Sequence, residues 1–162
     1  MNNRIEIIDY HPRYTEQTIA MWRASKELAL GMPEMHDIEA HRYFLNRILA
    51  ATHRIYLAVE RRSEMVLGMI AADDTQISQL YVHPGYQHQG IGSSLVEIVK
   101  DTAGDSLTLY TFEVNAIARK FWQKHGFVER RTGLHDNEEG MVDVLCEWRR
   151  ENTWHPLHSI AV

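Results

Sequence analysis

Residues 80–97 read LYVHPGYQHQGIGSSLVE and pass from a strand pattern through a glycine-bearing loop into a helical pattern. Gly90 and Gly92 stand one residue apart, and glycine lets backbone amides approach a ligand closely. The amides in the first turn of a helix have no partner inside the helix and lie at the positive end of its dipole. This segment is therefore predicted to bind a pyrophosphate, with Ser93 and Ser94 as additional hydroxyl donors.

The loop has a second interpretation, because two glycines before a helix also occur in ordinary strand-to-helix turns. It lacks the third spaced glycine of dinucleotide-binding loops and the Gly-Lys-Ser/Thr ending of nucleotide-triphosphate loops. The residues alone thus leave open a plain turn and a site for a different phosphate ligand.

Strand and helix patterns precede the loop. RIEIIDY (4–10) is strand-like, a helical pattern runs from Tyr14 to Leu30, and Asp37 is placed to cap a second helix. That second helix is predicted to present one apolar face formed by Ile38, His41, Leu45, Ile48 and Leu49. Three strand patterns follow, RIYLAVE (54–60), MVLGMIAA (65–72) and QISQLYV (76–82). In the third, the alternation of apolar and polar residues shifts by one position after Ile77. One extra residue in a β-bulge would produce such a shift.

After the loop, the pattern predicts a helix from about Gly92 to Ala103 and a strand from Leu107 to Val114. Asn115 is placed to cap another helix, which Gly126 ends, and two strands complete the domain. This order predicts the α/β (α+β) class, with a mixed, mostly antiparallel sheet of about seven strands and helices on both faces. Residues 1–150 form a single domain, and the tail 151–162 is a candidate to pack on another subunit, which makes a homodimer plausible.

Composition narrows the function classes. The chain has 162 residues, 44% of them hydrophobic, a formal net charge of −5, and 17 basic residues without a dense basic stripe. These values are typical of a globular domain and argue against nucleic acid as a partner. No apolar run approaches a membrane span, and the N-terminal residues lack the apolar stretch of a secretory signal. We therefore expect a cytoplasmic protein with no membrane and no nucleic-acid partner.

Two reactive residue types are given structural interpretations. Cys146, the one cysteine, lies in the alternating run VDVLCEW and is expected to be a buried thiol rather than a nucleophile. His155 and His158 have no carboxylate or cysteine partner at a matching spacing, so no metal site is expected.

The segment LYVHPGYQHQGIGSSLVE, together with NAIARKFWQKHGF (115–127), resembles the GNAT acetyltransferase superfamily. The first segment is similar to the acyl-CoA motif Gln/Arg-x-x-Gly-x-Gly/Ala, and the second to the motif Asn-x-x-Ala…Phe-Tyr…Gly-Phe. The resemblance implies the GNAT fold, in which two central strands splay apart, and acetyl-CoA as cosubstrate. It covers roughly Arg4 to Trp148 and is specific from about Gln76 to Val128.

The resemblance also implies where acetyl-CoA binds. Its pyrophosphate would lie on the loop, its pantetheine arm would pair with free backbone groups of Leu80 and Val82, and a backbone N–H near Tyr81 or Val82 would hold the oxyanion. Asn115 and Phe121 would flank the arm. The expected cosubstrate-binding residues are Leu80, Tyr81, Val82, Gln87, His88, Gln89, Gly90, Ile91, Gly92, Ser93, Asn115, Phe121 and Trp122.

The residues that could take the proton from the amine and give one to the leaving thiolate are chosen by residue type. The candidates for the base that deprotonates the amine are Glu113, Asp73, Asp74 and Tyr81. Trp122 occupies the position where many family members have a tyrosine that protonates the leaving thiolate, and an indole cannot deliver that proton. Tyr110, Tyr81 or solvent would then supply it, while Trp122 would pack against the pantetheine or the core.

These features predict an N-acetyltransferase that uses acetyl-CoA and acts on a primary amine of a small molecule or a peptide. The amine would attack the thioester directly in a ternary complex. A non-catalytic acyl-CoA-binding or sensing module is the alternative, favoured by Trp122. A third possibility is an interaction protein that shares only the fold.

Overall fold

The computed structural model describes residues 4–133 and 137–151, which form seven strands and five α-helical segments. The first half contains β1 (Ile5–Asp9), a 3₁₀ turn (Pro12–Tyr14), α1 (Thr15–Leu30), α2 (Ile38–Tyr43), a π-helical segment (Phe44–Leu49), α3 (Ala50–Thr52), β2 (Arg54–Glu60) and β3 (Val66–Ala72). The second half contains β4 (Ile77–Val82), a 3₁₀ turn (Pro84–Tyr86), α4 (Ile91–Thr102), β5 (Ser106–Phe112), α5 (Ala116–Lys124), β6 (Val128–Gly133) and β7 (Asp143–Arg149). The predicted element order is confirmed.

The strands form two antiparallel sheets that meet at one corner. One sheet has the order β1-β2-β3-β4 and the other the order β5-β7-β6. Between β4 and β5, a parallel bridge joins Gln76 to Thr108, and the Thr108 amide donates to the Thr75 carbonyl at 2.9 Å. The predicted α/β class and the splayed central strands are thus confirmed, with the seven strands divided between two sheets.

A β-bulge lies at the start of β4. Ala71 of β3 is opposite Gln79, whereas Ala72 is opposite Ile77, so Ser78 is the extra residue on β4. This is the phase slip predicted from the alternation of apolar residues. A bulge increases the local twist of a strand, and this one lies where β4 turns away from β5.

Helices cover both faces of the four-stranded sheet, as expected. Trp22 of α1 and Leu45 and Leu49 of the π-helical segment are buried on one face. Leu95 of α4 is buried on the other. A Cβ at Gly68 of β3 would lie 2.9 Å from Ile91 Cγ2, so glycine is needed for α4 to approach the sheet this closely. The first turn of α4 is thereby fixed beside β4.

The buried face of the second helix and the end of β5 differ from what the sequence predicts. In the second helix, His41, Leu45 and Leu49 are buried, but Ile38 and Ile48 are exposed. Ile38 is the first helical residue, and the π-helical segment turns Ile48 away from the sheet because its turn is wider than an α-turn. β5 ends at Phe112, two residues before the predicted Val114.

Cys146 is buried in β7, and burial raises the pKa of its thiol to about 11. This confirms the interpretation of Cys146 as a core thiol. The expected C-terminal tail lies outside the described residues except for Glu151, and so do His155 and His158. Among residues 4–133 and 137–151, no helix is long and apolar enough to cross a membrane.

Candidate active site

A cleft of about 730 Å³ opens where β4 and β5 diverge. From the two strands, the cleft extends to α1, α2 and the π-helical segment. It also reaches the loop between β6 and β7. Its walls include residues from β4, β5, α1, α2, α5, the segment between α1 and α2, and this loop, among them Trp22, Lys26, Glu34, His41, Leu80, Tyr81, Tyr110, Asn115, Trp122, Glu138 and Glu139. The cleft therefore joins an apolar slot between strands to a charged end beside α1.

The backbone of β4 faces the cleft at alternate residues. Tyr81 is opposite Met69 in the register, and the His83 amide donates to the Leu67 carbonyl at 2.7 Å. Alternate residues of an antiparallel strand direct their polar groups to the same neighbour, so the amides of Tyr81 and His83 point to β3. The amides of Leu80 and Val82 then point to the side where β5 has separated. Of the two expected oxyanion donors, Val82 faces this side and Tyr81 does not.

The predicted phosphate loop has a distinctive backbone. His88 and Gly90 adopt positive φ angles of 62° and 83°, and α4 begins directly afterwards at Ile91. Among the described residues, no protein group accepts from the first-turn amides of Ile91, Gly92 and Ser93. These free amides at the positive end of α4 fit an anionic group such as a diphosphate.

The two serines of this turn differ in their hydrogen bonds. The hydroxyl and the amide of Ser94 both donate to the Gly90 carbonyl at 3.0 Å, so the expected hydroxyl donation by Ser94 to a ligand is used within the loop. The Ser93 hydroxyl lies 2.9 Å from Nε2 of His125, the residue that follows α5.

α5 closes the slot from the second sheet. The Asn115 side chain caps this helix by accepting from the Ala118 amide at 3.1 Å, as predicted. A Cβ at Gly92 would lie 3.3 Å from the Phe121 ring and 3.6 Å from Val82 Cγ2. The absence of a side chain at Gly92 therefore allows the phosphate loop, β4 and α5 to pack in close contact.

Trp122 is buried and also lines the cleft. Its indole packs edge-on against Phe127, with ring centroids 5.1 Å apart, and against Phe121 at 5.0 Å. The side chain is thus a core residue with one surface on the slot.

The expected catalytic residues fall in different places. Tyr81 and Tyr110 line the cleft, and Tyr81 stacks on Trp22 with ring centroids 5.4 Å apart. Burial raises the pKa of Tyr81, so its phenol stays protonated at neutral pH and is suited to donate a proton rather than to accept one. Tyr110 is 40% exposed.

The carboxylates proposed as bases lie away from the cleft walls. Glu113 is exposed in the turn after β5, and its backbone carbonyl accepts a hydrogen bond from Arg119 Nη1 at 3.0 Å. Asp73 accepts from the Thr75 amide at 2.8 Å within the turn before β4. Asp74 pairs with Arg54 at 2.8 Å. Both aspartates belong to the end where the two sheets are joined.

A charged cluster at the far end of the cleft was not expected from the sequence. Lys26 Nζ of α1 lies 3.0 Å from Glu139 and 3.6 Å from Glu34, whose side chain is only 3% exposed. Burial would raise the pKa of Glu34, but the charge of Lys26 and the hydrogen bonds from the His36 and Met35 amides together outweigh burial, so the pKa is lowered. Beside this cluster, His36 pairs with Glu138 at 2.5 Å. No local pattern signals these contacts because the residues come from three separate segments.

His41 lies behind this cluster. It is buried, its ring is edge-on to Trp22 at 4.3 Å, and Nδ1 has no hydrogen-bond partner within the described residues. Burial lowers the pKa of His41 to about 4, so the ring is neutral near pH 7. The sequence placed His41 on an apolar helix face, and its burial agrees with that placement.

The family model of the acetyltransferase (GNAT) family matches residues 18–127. The chain belongs to this family. It is an acetyltransferase, and acetyl-CoA is its cosubstrate, as the two sequence motifs implied. No curated protein matches the chain significantly.

Solved structures share the fold at low sequence identity. The GCN5-related N-acetyltransferase from Rhodopseudomonas palustris is 18% identical, with a TM-score of 0.73 over 93% of this chain and 98% of that chain. The PaiA N-acetyltransferase from Thermoplasma acidophilum, in complex with coenzyme A, is 22% identical, with a TM-score of 0.68 over 93% and 100%. YncA from Salmonella typhimurium, with acetyl-CoA, is 15% identical, with a TM-score of 0.66 over 95% and 98%.

Proposed function

We propose that this protein transfers the acetyl group of acetyl-CoA to a primary amine of a small molecule or a peptide, by direct attack in a ternary complex. The observation that carries the proposal is one continuous cleft, which joins the slot between β4 and β5 to the charged end beside α1. Two substrates can meet there without leaving the protein. The burial and raised pKa of Cys146 favour direct attack over transfer through a cysteine.

The donor half of the cleft is assigned to acetyl-CoA. Its diphosphate would be held by the amides of Ile91, Gly92 and Ser93 and by the loop before them, Gln87, His88, Gln89 and Gly90. Its pantetheine arm would pair with Leu80 and Val82 as an added strand, flanked by Asn115, Phe121 and Trp122. One of the two outward amides of β4 would polarise the thioester carbonyl.

Proton transfer to the leaving thiolate is assigned to Tyr110. Its phenol lines the slot, and β5 places it across the cleft from β4. Tyr81 is a second donor, since burial keeps its phenol protonated. Glu113 is the weaker candidate for the base because its exposed side chain does not line the cleft.

The acceptor half is assigned to the charged end. Glu34, Glu138 and Glu139 line it together with one lysine, Lys26. This excess of carboxylates attracts a cationic amine, which agrees with a primary amine as the acceptor.

Release of coenzyme A from acetyl-CoA, measured over a panel of monoamines, diamines, amino acids and short peptides, tests the proposal. Turnover with at least one amine is expected. Calorimetric binding of coenzyme A without turnover on any amine would favour the sensing module instead. No binding of coenzyme A at all would favour an interaction protein that shares the fold.

A further inference from the structure

Ser93 and His125 form a hydrogen-bonded pair beside the phosphate loop, and Glu97 lies on the far side of the histidine ring; we call these three residues the relay. The Ser93 hydroxyl lies 2.9 Å from His125 Nε2, and Glu97 Oε1 lies 3.8 Å from Nδ1 on the other side of the ring. The His125 side chain is only 10% exposed, whereas that of Glu97 is 61% exposed. Ser93 belongs to the turn whose free amides face the proposed diphosphate, so the relay would reach the ligand through the Ser93 hydroxyl.

The charge of Glu97 favours one of the two neutral tautomers of His125. A carboxylate near Nδ1 favours the neutral tautomer with its proton on Nδ1, because a lone pair there would face a negative charge. Nε2 is then an acceptor, and the Ser93 hydroxyl must donate to it. Serine has one hydroxyl proton, so in this state it directs only lone pairs towards an anion.

We propose that His125 is a positioning residue that couples protonation to coenzyme A binding through Ser93. When Nε2 is protonated, it donates to the Ser93 oxygen, and the hydroxyl proton is released to donate to a phosphate oxygen. Binding of the diphosphate therefore takes up a proton at His125. The inference rests on the proposed placement of the diphosphate at the first turn of α4.

The groups around His125 determine the protonation state of its ring in the free protein. On α4, Glu97 and Lys100 face it, and Lys100 Nζ donates to its carbonyl at 2.5 Å. On α5, Lys124 contributes charge and the Phe121 ring lies 4.6 Å away. Burial lowers the pKa of His125 and the two lysines lower it further, against the opposing effect of Glu97. The ring is therefore neutral near pH 7 in the free protein.

The sign of the pH dependence follows from linkage. A diphosphate beside Ser93 raises the pKa of His125, so affinity is highest below the pKa of the free protein. It falls as the pH rises towards the pKa of the complex. The exchange of a lone-pair contact for a donated hydrogen bond is worth about 1 kcal/mol, or about fivefold in affinity.

The test is calorimetry of the full chain with 3′-dephospho-coenzyme A from about pH 5.5 to about pH 8. This ligand lacks the 3′-phosphate, whose second ionisation near pH ~6 would titrate in the same range. We expect the dissociation constant of the parent protein to rise about fivefold over this range. Ser93→Ala and His125→Asn should each remove most of this rise.

Ser94→Ala is the matched control, because its hydroxyl is on the same turn but donates to Gly90. It should keep the parent's pH dependence. If Ser93→Ala also keeps it, or if the parent binds with no pH dependence, the relay is overturned while the proposed function stands. If the parent does not bind the ligand at any pH, the proposed coenzyme A site itself fails.

Discussion

Gly90 is the residue on which the shape of the phosphate loop depends most directly. Its φ of +83° is strained for any residue with a side chain, and its Cβ position is open space on the loop surface. We expect Gly90→Val to weaken coenzyme A binding by at least about tenfold, because the side chain enters the space proposed for the diphosphate. Calorimetry with coenzyme A measures the loss.

Gly31 provides a matched control for the backbone strain. It ends α1 with a φ of +65°, and a Cβ there would also meet nothing within 4 Å. Gly31→Val should lower the free energy of unfolding by about as much as Gly90→Val, roughly 1–3 kcal/mol, without a loss of coenzyme A affinity. Equal losses of affinity in the two variants would mean that the loop assignment is wrong.

Tyr110 is the second residue whose role can be tested alone. If its phenol protonates the thiolate, Tyr110→Phe should lower kcat about tenfold while the Kd for coenzyme A stays within about twofold. The loss is modest because a thiol with a pKa of about 8.5 is already a fair leaving group. Steady-state kinetics with the best amine of the panel measures it.

Glu113→Gln is the comparison for Tyr110→Phe, since Glu113 is one of the four candidate bases predicted from the sequence. Its exposed position beyond the end of β5 predicts a smaller loss of kcat than in Tyr110→Phe. A larger loss in Glu113→Gln would place the chemistry at the open end of β5.

At the scale of elements, Lys26 links α1 to the segment that follows it and to the β6–β7 loop. Lys26→Met would leave Glu34, with 3% of its side chain exposed, without its cation. We expect the free energy of unfolding to fall by about 1–3 kcal/mol near pH 7, because the buried carboxylate loses its cation and keeps the backbone amides of Met35 and His36 as partners. Urea denaturation of both proteins measures the difference.

We also expect the effect of Lys26→Met on the free energy of unfolding to depend on pH. In the parent the pKa of Glu34 is lowered, so its contribution to stability is present above the unfolded pKa of about 4.3 and is lost as the pH falls through the lower folded value. Without the charge of Lys26, burial is less strongly opposed, so the folded pKa of Glu34 is expected to be higher than in the parent. The stability difference between parent and variant should therefore shrink as the pH falls through the folded pKa of the variant and then that of the parent, and it should be small below both.

Arg54→Met is the control, because Arg54 and Asp74 form an exposed pair whose removal should change stability by less than about 0.5 kcal/mol. An equally small effect of Lys26→Met at every pH would show that the buried ion pairs carry no net stability.

The elements themselves were largely predictable from local pattern. Asp37 and Asn115 cap the helices that they were predicted to cap, and the phase slip after Ile77 corresponds to the bulge. These signals lie within a few residues of each other, where local hydrogen bonds decide the structure. The π-helical segment and the contacts of Lys26 with Glu34 and Glu139 depend on packing between distant segments, so periodicity contains no signal for them.

At the scale of the whole molecule, the described residues form two sheets that are joined between β4 and β5 only at the Gln76–Thr108 end. The pantetheine arm proposed for the slot would act as a strand between them. Ligand at about 100 times its Kd stabilises a protein by about 2.7 kcal/mol, so coenzyme A should raise Tm by roughly 5–10 °C.

The exchange of individual amide hydrogens tests whether the ligand really takes the place of a strand. In the ligand-free protein, the amides of Leu80 and Val82 should exchange much faster than those of Tyr81 and His83, which the register pairs with β3. Saturating coenzyme A should slow Leu80 and Val82 at least about tenfold and remove this alternation, because the arm would then accept their hydrogen bonds. Amide exchange followed by NMR resolves the four positions. Equal protection of Leu80 and Tyr81 without ligand would mean that β4 offers no free edge to the slot, and the strand-addition mode of binding would fall with it.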